Sequence, residues 1–459
     1  MAITPPGPKG VPVVGNTQRF LDDPLSFMTA CRDAYGDVSA FRLGTDNAYL
    51  LTDPDTIEHV LKNDTVQYRK PAAQSDLHET LGDGLLLNQG DGIWRRQRQR
   101  VQPAFGMRQI ATPERLETMV EYATEHIDRW DDGETIDIRS ESVRITIKII
   151  VDLMFGVEID DATVDEIRYQ LDTIGESQSG ASIRQLILPD WLTRTDPQFQ
   201  RALDGLRDVL ADIIDQRRTS MPADAHSSPE RPPEDDGQRM DFLSLMLDAQ
   251  DKEAEVDDTF LRDEAMTILL AGHDTTSLAI TYALYLLAQH PEIAARLREE
   301  VANLTDESPI TAREVRGLDY TDRVLSEAMR LYPPVPIVPR EPRADVRLNG
   351  YRIPAGSLLV MSQYVVQRDP RWYDEPETFD PDRWHRDQEQ TRPNYAYFPF
   401  GAGPRICIGK PLAELEAKLI LGTVLQRYEL DLAMSDPLEL EANITLFPTN
   451  PVNITLHER

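Results

Sequence analysis

A nearly continuous helical signal from about residue 93 to residue 335 is the strongest constraint on the fold. Its apolar residues follow the spacing of one face of an α-helix. Short alternating segments occur on both sides of it, including two predicted strands around a turn at 44–47. The sequence therefore predicts a mainly α (α+β) fold, in which both ends of the chain contribute small β-sheets to a large helical body.

Three further observations concern the organisation of the chain. The segment 217–240 is rich in proline, serine and charge, which predicts a mobile surface loop. No apolar run approaches the roughly 20 residues that span a bilayer. The first ten residues lack the apolar centre of a signal peptide. We therefore expect a cytoplasmic protein without a membrane anchor.

The charge balance is unusually acidic, with a formal net charge of −31. Lysine occurs only seven times, so most basic residues are arginine. This composition is typical of halophilic, especially haloarchaeal, proteins, whose dense carboxylates keep the surface hydrated in high salt. A disordered acidic protein is the alternative, but the periodic apolar segments argue against it. The net charge also argues against nucleic acid as a partner.

One of the two cysteines lies in a glycine-rich loop at 398–409, just before a predicted helix at 411–427. A thiolate at a helix N-terminus is stabilised by the helix dipole and by free backbone N–H groups. Arg405 can neutralise an anionic group on the same ligand. Taken alone, Cys407 is about as easily an inert buried cysteine as a metal ligand. The other cysteine, Cys31, lies on an amphipathic helical pattern and is interpreted as a core residue.

The loop resembles the haem-binding loop of the cytochrome P-450 superfamily, and the resemblance extends over essentially all of residues 1–459. It implies a single domain, with 1–70 and 335–459 supplying the β-rich part, and haem b (iron protoporphyrin IX) as cofactor. Cys407 would be the axial thiolate on the iron. Arg405 would pair with a haem propionate. The loop positions that carry the resemblance are Phe400, Gly401, Gly403, Arg405, Cys407 and Gly409.

Polar residues interrupt the long apolar run at 266–290, which is costly unless they are satisfied or functional. The segment resembles the superfamily's oxygen-binding helix from Ala271 onwards. The resemblance implies that Gly272 leaves room for dioxygen, that Asp274 relays protons and that Thr275 delivers them. His273 is interpreted as structural. The alternative for Thr275 is a hydrogen bond to the carbonyl four residues earlier in its own helix.

Two further groups of residues resemble parts of the same family. Glu327 and Arg330 are spaced as a surface salt bridge would be, but with Arg383 they resemble the family's buried structural cluster. Arg340 occupies a place where many relatives have a propionate-binding arginine. Trp94 and Arg98, one helical turn apart, resemble a pair that clamps the propionates.

The Trp94 segment is also the most basic in the chain, because it holds five arginines and no acidic residue between 93 and 112. Two interpretations stay open: a solvated basic face, or a docking patch for an acidic electron donor. The arginines are Arg95, Arg96, Arg98, Arg100 and Arg108.

The resemblance implies a monooxygenase that inserts one atom of dioxygen into a lipophilic small molecule, either lipid-like or isoprenoid. Electrons would come from a ferredoxin and its reductase. A peroxide-driven relative usually lacks the acid–alcohol pair that Asp274 and Thr275 supply here. A haem sensor or electron carrier would need neither that pair nor a substrate chamber. By analogy, the chamber would be lined by 77–89, the helix before Ala271, 335–338 and the turn at 446–447.

Overall fold

The computed structural model describes residues 4–71, 81–82, 84–88, 91–178, 197–221, 241–252, 256–305, 310–311 and 314–459. Its α-helices are, in chain order, α1 (Thr17–Asp22), α2 (Pro24–Tyr35), α3 (Pro54–Glu58), α4 (Asp91–Val101), α5 (Met107–Ile110), α6 (Pro113–Ile127), α7 (Ile138–Ile150), α8 (Asp161–Gln178), α9 (Pro197–Ser220), α10 (Phe242–Lys252), α11 (Asp258–Gln289), α12 (Pro291–Leu304), α13 (Asp319–Leu331), α14 (Gln363–Val366), α15 (Arg386–Glu389) and α16 (Lys410–Arg427). Two π-helical turns, His59–Asn63 and Val151–Phe155, continue α3 and α7.

The strands of the described chain are short and form four separate sheets. They are β1 (Val38–Leu43), β2 (Asp46–Leu51), β3 (Tyr68–Arg69), β4 (Thr135–Asp137), β5 (Ile337–Pro342), β6 (Val346–Leu348), β7 (Tyr351–Ile353), β8 (Leu358–Ser362), β9 (Tyr428–Leu432), β10 (Leu440–Ala442), β11 (Leu446–Pro448) and β12 (Asn453–Glu458). The largest sheet has the order β1-β2-β8-β5-β3, in which only β2 and β8 are parallel. The others are β4-β12-β9 and the hairpins β6-β7 and β10-β11.

This architecture confirms the predicted fold class. The turn between β1 and β2 is shorter than expected, because Asp46 and Asn47 already pair with β1. The sequence did not predict β4, which lies inside the helical region and pairs with β12 more than 300 residues later. Three residues are too few to show an alternating pattern, so this strand depends on its distant partner.

Helix α11 runs through the helical body and is buried along most of its length. At about 1.5 Å per residue it is roughly 48 Å long. The Asp257 side chain caps it by accepting the Phe260 N–H at 2.8 Å. The helix ends at Gln289, and one residue, His290, separates it from the proline that begins α12. Its middle turns carry the polar segment that was singled out in the sequence.

The sequence analysis predicted a loop at 217–240 and no membrane-spanning segment. Helix α9 continues to Ser220, four residues into the predicted 217–240 loop, and residues 222–240 lie outside the described residues. Among the helices that are described, none is both long and apolar enough to cross a membrane.

A buried ion cluster joins α13 to the segment that leads to the Cys407 loop. Arg330 donates two hydrogen bonds of 2.8 Å to the Glu327 carboxylate, and both side chains are fully buried. Arg383 donates to the same carboxylate at 3.3 Å, and the Trp384 indole N–H donates at 2.9 Å. Arg330 also donates to three backbone carbonyls, those of Gln367, Pro376 and Thr378. Its charge is therefore surrounded by acceptors.

Gln367 extends this network to the loop itself. Its side-chain amide N–H group donates to the carbonyls of Met329 and Arg330, at 3.0 and 3.2 Å. Its side-chain oxygen accepts the N–H of Phe398 at 3.3 Å. One fully buried side chain therefore connects the end of α13 to the first residue of the Cys407 loop.

We predict that Glu327→Gln lowers the free energy of unfolding by about 3–5 kcal/mol, because two buried arginines lose their compensating charge. Asp204→Asn is the matched control, since Asp204 and Arg207 form an exposed ion pair with the same i, i+3 spacing. The control should change stability by less than about 1 kcal/mol. Equilibrium denaturation measures both. Equal small effects would contradict a stabilising role for the buried cluster.

Candidate active site

The backbone of the Cys407 loop is tightly folded. The Cys407 N–H donates to the Phe400 carbonyl at 2.9 Å, which closes the loop on itself. Gly401 and Gly403 have φ values of 67° and 65°, in the region that favours glycine. A Cβ at Gly403 would lie 2.1 Å from the Leu61 carbonyl oxygen. The loop can therefore pack against the π-helical turn at His59–Asn63 only because this residue is glycine.

The Cys407 side chain is accessible, yet protein atoms surround it closely enough for burial to raise the pKa of its thiol. The two observations agree if the sulfur faces an internal recess rather than bulk solvent. The backbone N–H groups of Gly409 and Lys410, at the start of α16, lower this pKa, as does the positive charge of Arg98. Cys31, by contrast, is a buried core residue, and burial raises the pKa of its thiol to about 11.

Cationic side chains gather on one side of Cys407. The buried Trp94 ring contacts the guanidinium of Arg405 at 4.4 Å and that of Arg98 at 5.7 Å, measured to the ring centroid. Arg340, from β5, is buried near Arg405, and burial together with the Arg405 charge lowers its pKa to about 10. The fold therefore brings together four of the predicted cofactor-binding residues, from three segments that are far apart in sequence.

Lys70 is a member of this group that the sequence analysis missed. Burial, Arg340 and Arg405 together lower the pKa of Lys70 to about 7. Its one sequence signal was rarity, since lysine occurs only seven times in the chain. We call Lys70, Arg98, Arg340 and Arg405 the cation cluster. A shifted pKa of this kind reflects positive charge that has been taken from water.

A short segment, 84–88, links α11 to the cation cluster. The Leu85 N–H donates to the Glu264 carboxylate of α11 at 3.0 Å. Lys70 donates to the Leu86 carbonyl, and Arg405 donates to the Asn88 carbonyl at 3.2 Å. The backbone of residues 84–88 therefore bonds both to α11 and to the cation cluster.

The predicted oxygen-binding segment lies in the middle of α11. Ala271 is exposed, and Asp274 and Thr275 are half-buried, although the flanking turns of the helix are buried. The Thr275 hydroxyl donates to the Ala271 carbonyl at 2.8 Å, which is the helix-internal bond considered as the alternative. A hydroxyl that donates in this way still has two acceptor lone pairs. The bond is therefore compatible with both interpretations of Thr275.

Gly272 and His273 face other helices. A Cβ at Gly272 would lie 1.9 Å from the Cδ1 atom of Ile150, so the missing side chain makes room for α7. That Gly272 also leaves room for dioxygen stays a prediction. His273 is buried, and its Nδ1 atom is 2.8 Å from the Leu269 carbonyl oxygen. Burial lowers the pKa of its imidazole.

The basic segment divides into inward and outward side chains. Arg95, Arg96 and Arg108 are exposed, whereas Arg98 is half-buried beside Trp94. On the Cys407 loop, Phe400 is half-buried and the ammonium group of Lys410 lies 5.4 Å from the centre of its ring.

The segments expected to line a substrate chamber are described in part. Residues 72–80, 83 and 89–90 lie outside the described residues. Val335, Ile337 and Val338 are half-buried, as is Phe447. Leu446 is fully buried, and its carbonyl accepts the Tyr282 hydroxyl at 2.6 Å. Both residues lie in strand β11 rather than in a turn, Leu446 as a core residue and Phe447 as the more accessible of the two.

Comparison with known proteins agrees with this geometry. The family model for Cytochrome P450 matches residues 5–456. Pentalenene oxygenase of Streptomyces avermitilis is 32% identical, over 92% of this chain and 90% of its own length. Cyclooctat-9-en-7-ol 5-monooxygenase of Streptomyces melanosporofaciens is 31% identical, over 92% of this chain and 88% of its own. Cytochrome P450 4d2 of Drosophila melanogaster is 31% identical, over 99% of this chain and 94% of its own. The chain therefore belongs to the cytochrome P450 family of haem-dependent monooxygenases.

Proposed function

We propose that residues 1–459 form one domain that holds haem b between the Cys407 loop and the middle of α11, and that it oxygenates a lipophilic small molecule. Cys407 would be the protein ligand of the iron. The cation cluster and Trp94 would hold the propionates. The observation that carries the proposal is the meeting of an accessible cysteine with a cluster of half-buried and buried cations.

The residues present suit this cofactor in charge and in donor type. Lys70 and Arg340 have lowered pKa values because they are buried beside other cations. Two carboxylates placed beside them would favour their charged forms. A single thiolate is the ligand set of a haem-thiolate centre. When bound, the haem supplies the iron at which dioxygen is activated.

We predict that Cys407→Ser abolishes the absorption band characteristic of a thiolate ligand in the reduced, carbon monoxide-treated protein, because serine supplies no thiolate. Cys31→Ser is the matched control and should leave that band unchanged, since Cys31 is a core residue. Optical spectra of the reduced proteins make the comparison. A Cys407→Ser protein with the parent spectrum would overturn the ligand assignment.

The polar residues of α11 are proposed to move protons. Asp274 is half-buried and can exchange protons with solvent, while Thr275 retains acceptor capacity on its hydroxyl. A positioned acid–alcohol pair of this kind suits general acid catalysis. Its presence favours a dioxygen-dependent reaction over a peroxide-driven one.

We predict that Thr275→Ala keeps haem and ligand binding but releases several times more hydrogen peroxide per reductant consumed, because proton delivery loses its last donor. Asp274→Asn should instead slow turnover by about tenfold or more. The matched control is Thr281→Ala, which removes a helix-internal bond of the same kind, from Thr281 to the Ser277 carbonyl. If both alanine variants couple electrons to product as the parent does, Thr275 has only a structural role.

The electron donor is proposed to be a ferredoxin, supplied by a ferredoxin reductase. The support is that Arg95, Arg96 and Arg108, which we call the basic patch, are exposed in a segment without acidic residues in an otherwise acidic protein. Arg95→Gln should raise the KM for a reduced ferredoxin, and Arg201→Gln, an exposed control on α9, should not. Equal KM values for the two variants would oppose docking at this patch.

The substrate is proposed to be lipophilic and isoprenoid-like. Support comes from the half-buried apolar side chains at 335–338 and Phe447, and from the two Streptomyces relatives, whose names describe oxygenation of pentalenene and of cyclooctat-9-en-7-ol. A panel of terpenes and fatty acids can be tested by the change in haem absorption on ligand binding. A panel that produces no change, beside polar compounds that do, would contradict the proposal.

The acidic composition is proposed to be a halophilic adaptation. We predict that the unfolding midpoint continues to rise up to multimolar KCl, because the excess carboxylates must be both screened and hydrated. Ordinary screening is largely complete well below that range, at a Debye length of about 3 Å in 1 M salt. Thermal unfolding from low to multimolar KCl tests this. A flat profile would mean that the acidity serves another purpose.

A further inference from the structure

We infer that Glu264 is a positioning residue for ligand selection: its buried carboxyl group holds the 84–88 segment on α11 and thereby sets where Leu86 lies. The part of this inference that concerns ligands rests on the proposed function. The part that concerns anchoring rests on contacts alone.

The carboxyl group of Glu264 is committed to the loop rather than to its own helix. The side chain is fully buried, and its Oε2 atom accepts the Leu85 N–H at 3.0 Å. Within the described part of the chain, its Oε1 atom has no hydrogen-bond partner. A carboxyl group is costly to bury. Because Glu264 is buried and accepts a hydrogen bond from a loop amide, we infer that it holds that loop.

The loop and the helix are in close contact around this bond. A Cβ at Gly84 would lie 2.1 Å from the Thr267 hydroxyl oxygen and 2.8 Å from the Asp263 carbonyl oxygen. A Cβ at Gly82 would lie 1.9 Å from the Asp263 carboxylate. The two glycines therefore let the backbone approach α11 closely enough for the Leu85 amide to reach Glu264.

A second backbone group of this segment is held by a different side chain. Lys70, in the cation cluster, donates to the Leu86 carbonyl. Leu85 and Leu87 pack against the core, whereas Leu86 between them is 38% exposed. The peptide groups 84–85 and 86–87 are thus held by α11 and by the cation cluster, and the Leu86 side chain between them remains accessible. Its position depends on both anchors.

The Glu264 carboxyl group can hold the Leu85 amide in its neutral form. Burial raises the pKa of Glu264 to about 7, with Asp263 adding to the increase, while the Leu85 N–H and Arg100 of α4 oppose it. A neutral carboxyl group still accepts an N–H through its carbonyl oxygen. Glutamine keeps that oxygen and the side-chain shape, whereas leucine removes the acceptor.

The test compares Glu264→Gln and Glu264→Leu by amide hydrogen exchange in the haem-loaded protein. Glu264→Leu should speed exchange of the Leu85 amide at least tenfold, and Glu264→Gln should leave it near the parent rate. Glu416→Leu is the matched control, because Glu416 on α16 is also buried, with a raised pKa, but lies outside this contact. If Glu264→Leu does not fold, Gly84→Ala should loosen the segment from the other side.

A second readout addresses selection. Farnesol serves as a lipophilic probe, and its Kd from haem absorption and its product ratio are measured for the same variants. We expect Glu264→Leu to raise Kd and change the product ratio, and Glu264→Gln to match the parent. Parent-like exchange in Glu264→Leu, or equal disturbance in Glu264→Gln, would overturn the anchoring. Faster exchange with unchanged Kd and products would overturn the role in selection. Failure of the parent to bind farnesol would instead count against the proposed substrate class.

Discussion

The cost of removing charge from water is the constraint on which the structure depends. Glu327 and Arg330 are fully buried and are surrounded by compensating partners, so they join α13 to the segment that leads to the Cys407 loop. Lys70 and Arg340 are held differently, with pKa values lowered by burial and by neighbouring cations. The ion pairs of the scaffold are thus complete within the chain, whereas the charges beside Cys407 suit an anionic ligand.

The 84–88 segment connects helix α11 to the cation cluster. It bonds to a carboxyl group of α11 at Leu85 and to members of the cation cluster at Leu86 and Asn88. The cations proposed to bind the cofactor and the carboxyl group of α11 therefore contact the same short backbone segment. A change in how these cations are compensated can reach the segment through the Leu86 and Asn88 carbonyls.

Helix α11 shows why polar residues survive in an apolar helix. Thr275 and Thr281 both donate to carbonyls four residues earlier, so neither hydroxyl lacks a partner. They differ in surroundings, because Thr281 is fully buried and Thr275 lies in the accessible middle of the helix. Gly272 belongs to the packing of α7 against this helix, since Ile150 occupies the space beside it. The segment thus contains one residue that is proposed to act in catalysis, Thr275, and one that packs against another helix, Gly272.

The sequence by itself determined the fold class, the position of α11, the helix after Cys407 and the identity of most candidate ligands, because these depend on local periodicity and on a contiguous loop pattern. Tertiary structure alone decided the pairing of β4 with β12 and the direction in which Gly272 faces. It also decided that Lys70 joins the cation cluster and that Glu264 binds the Leu85 amide. Each of these depends on a neighbour distant in sequence. The desolvation of these side chains and the hydrogen bonds between them arise only when the folded chain brings such neighbours together. A local sequence pattern therefore cannot predict them.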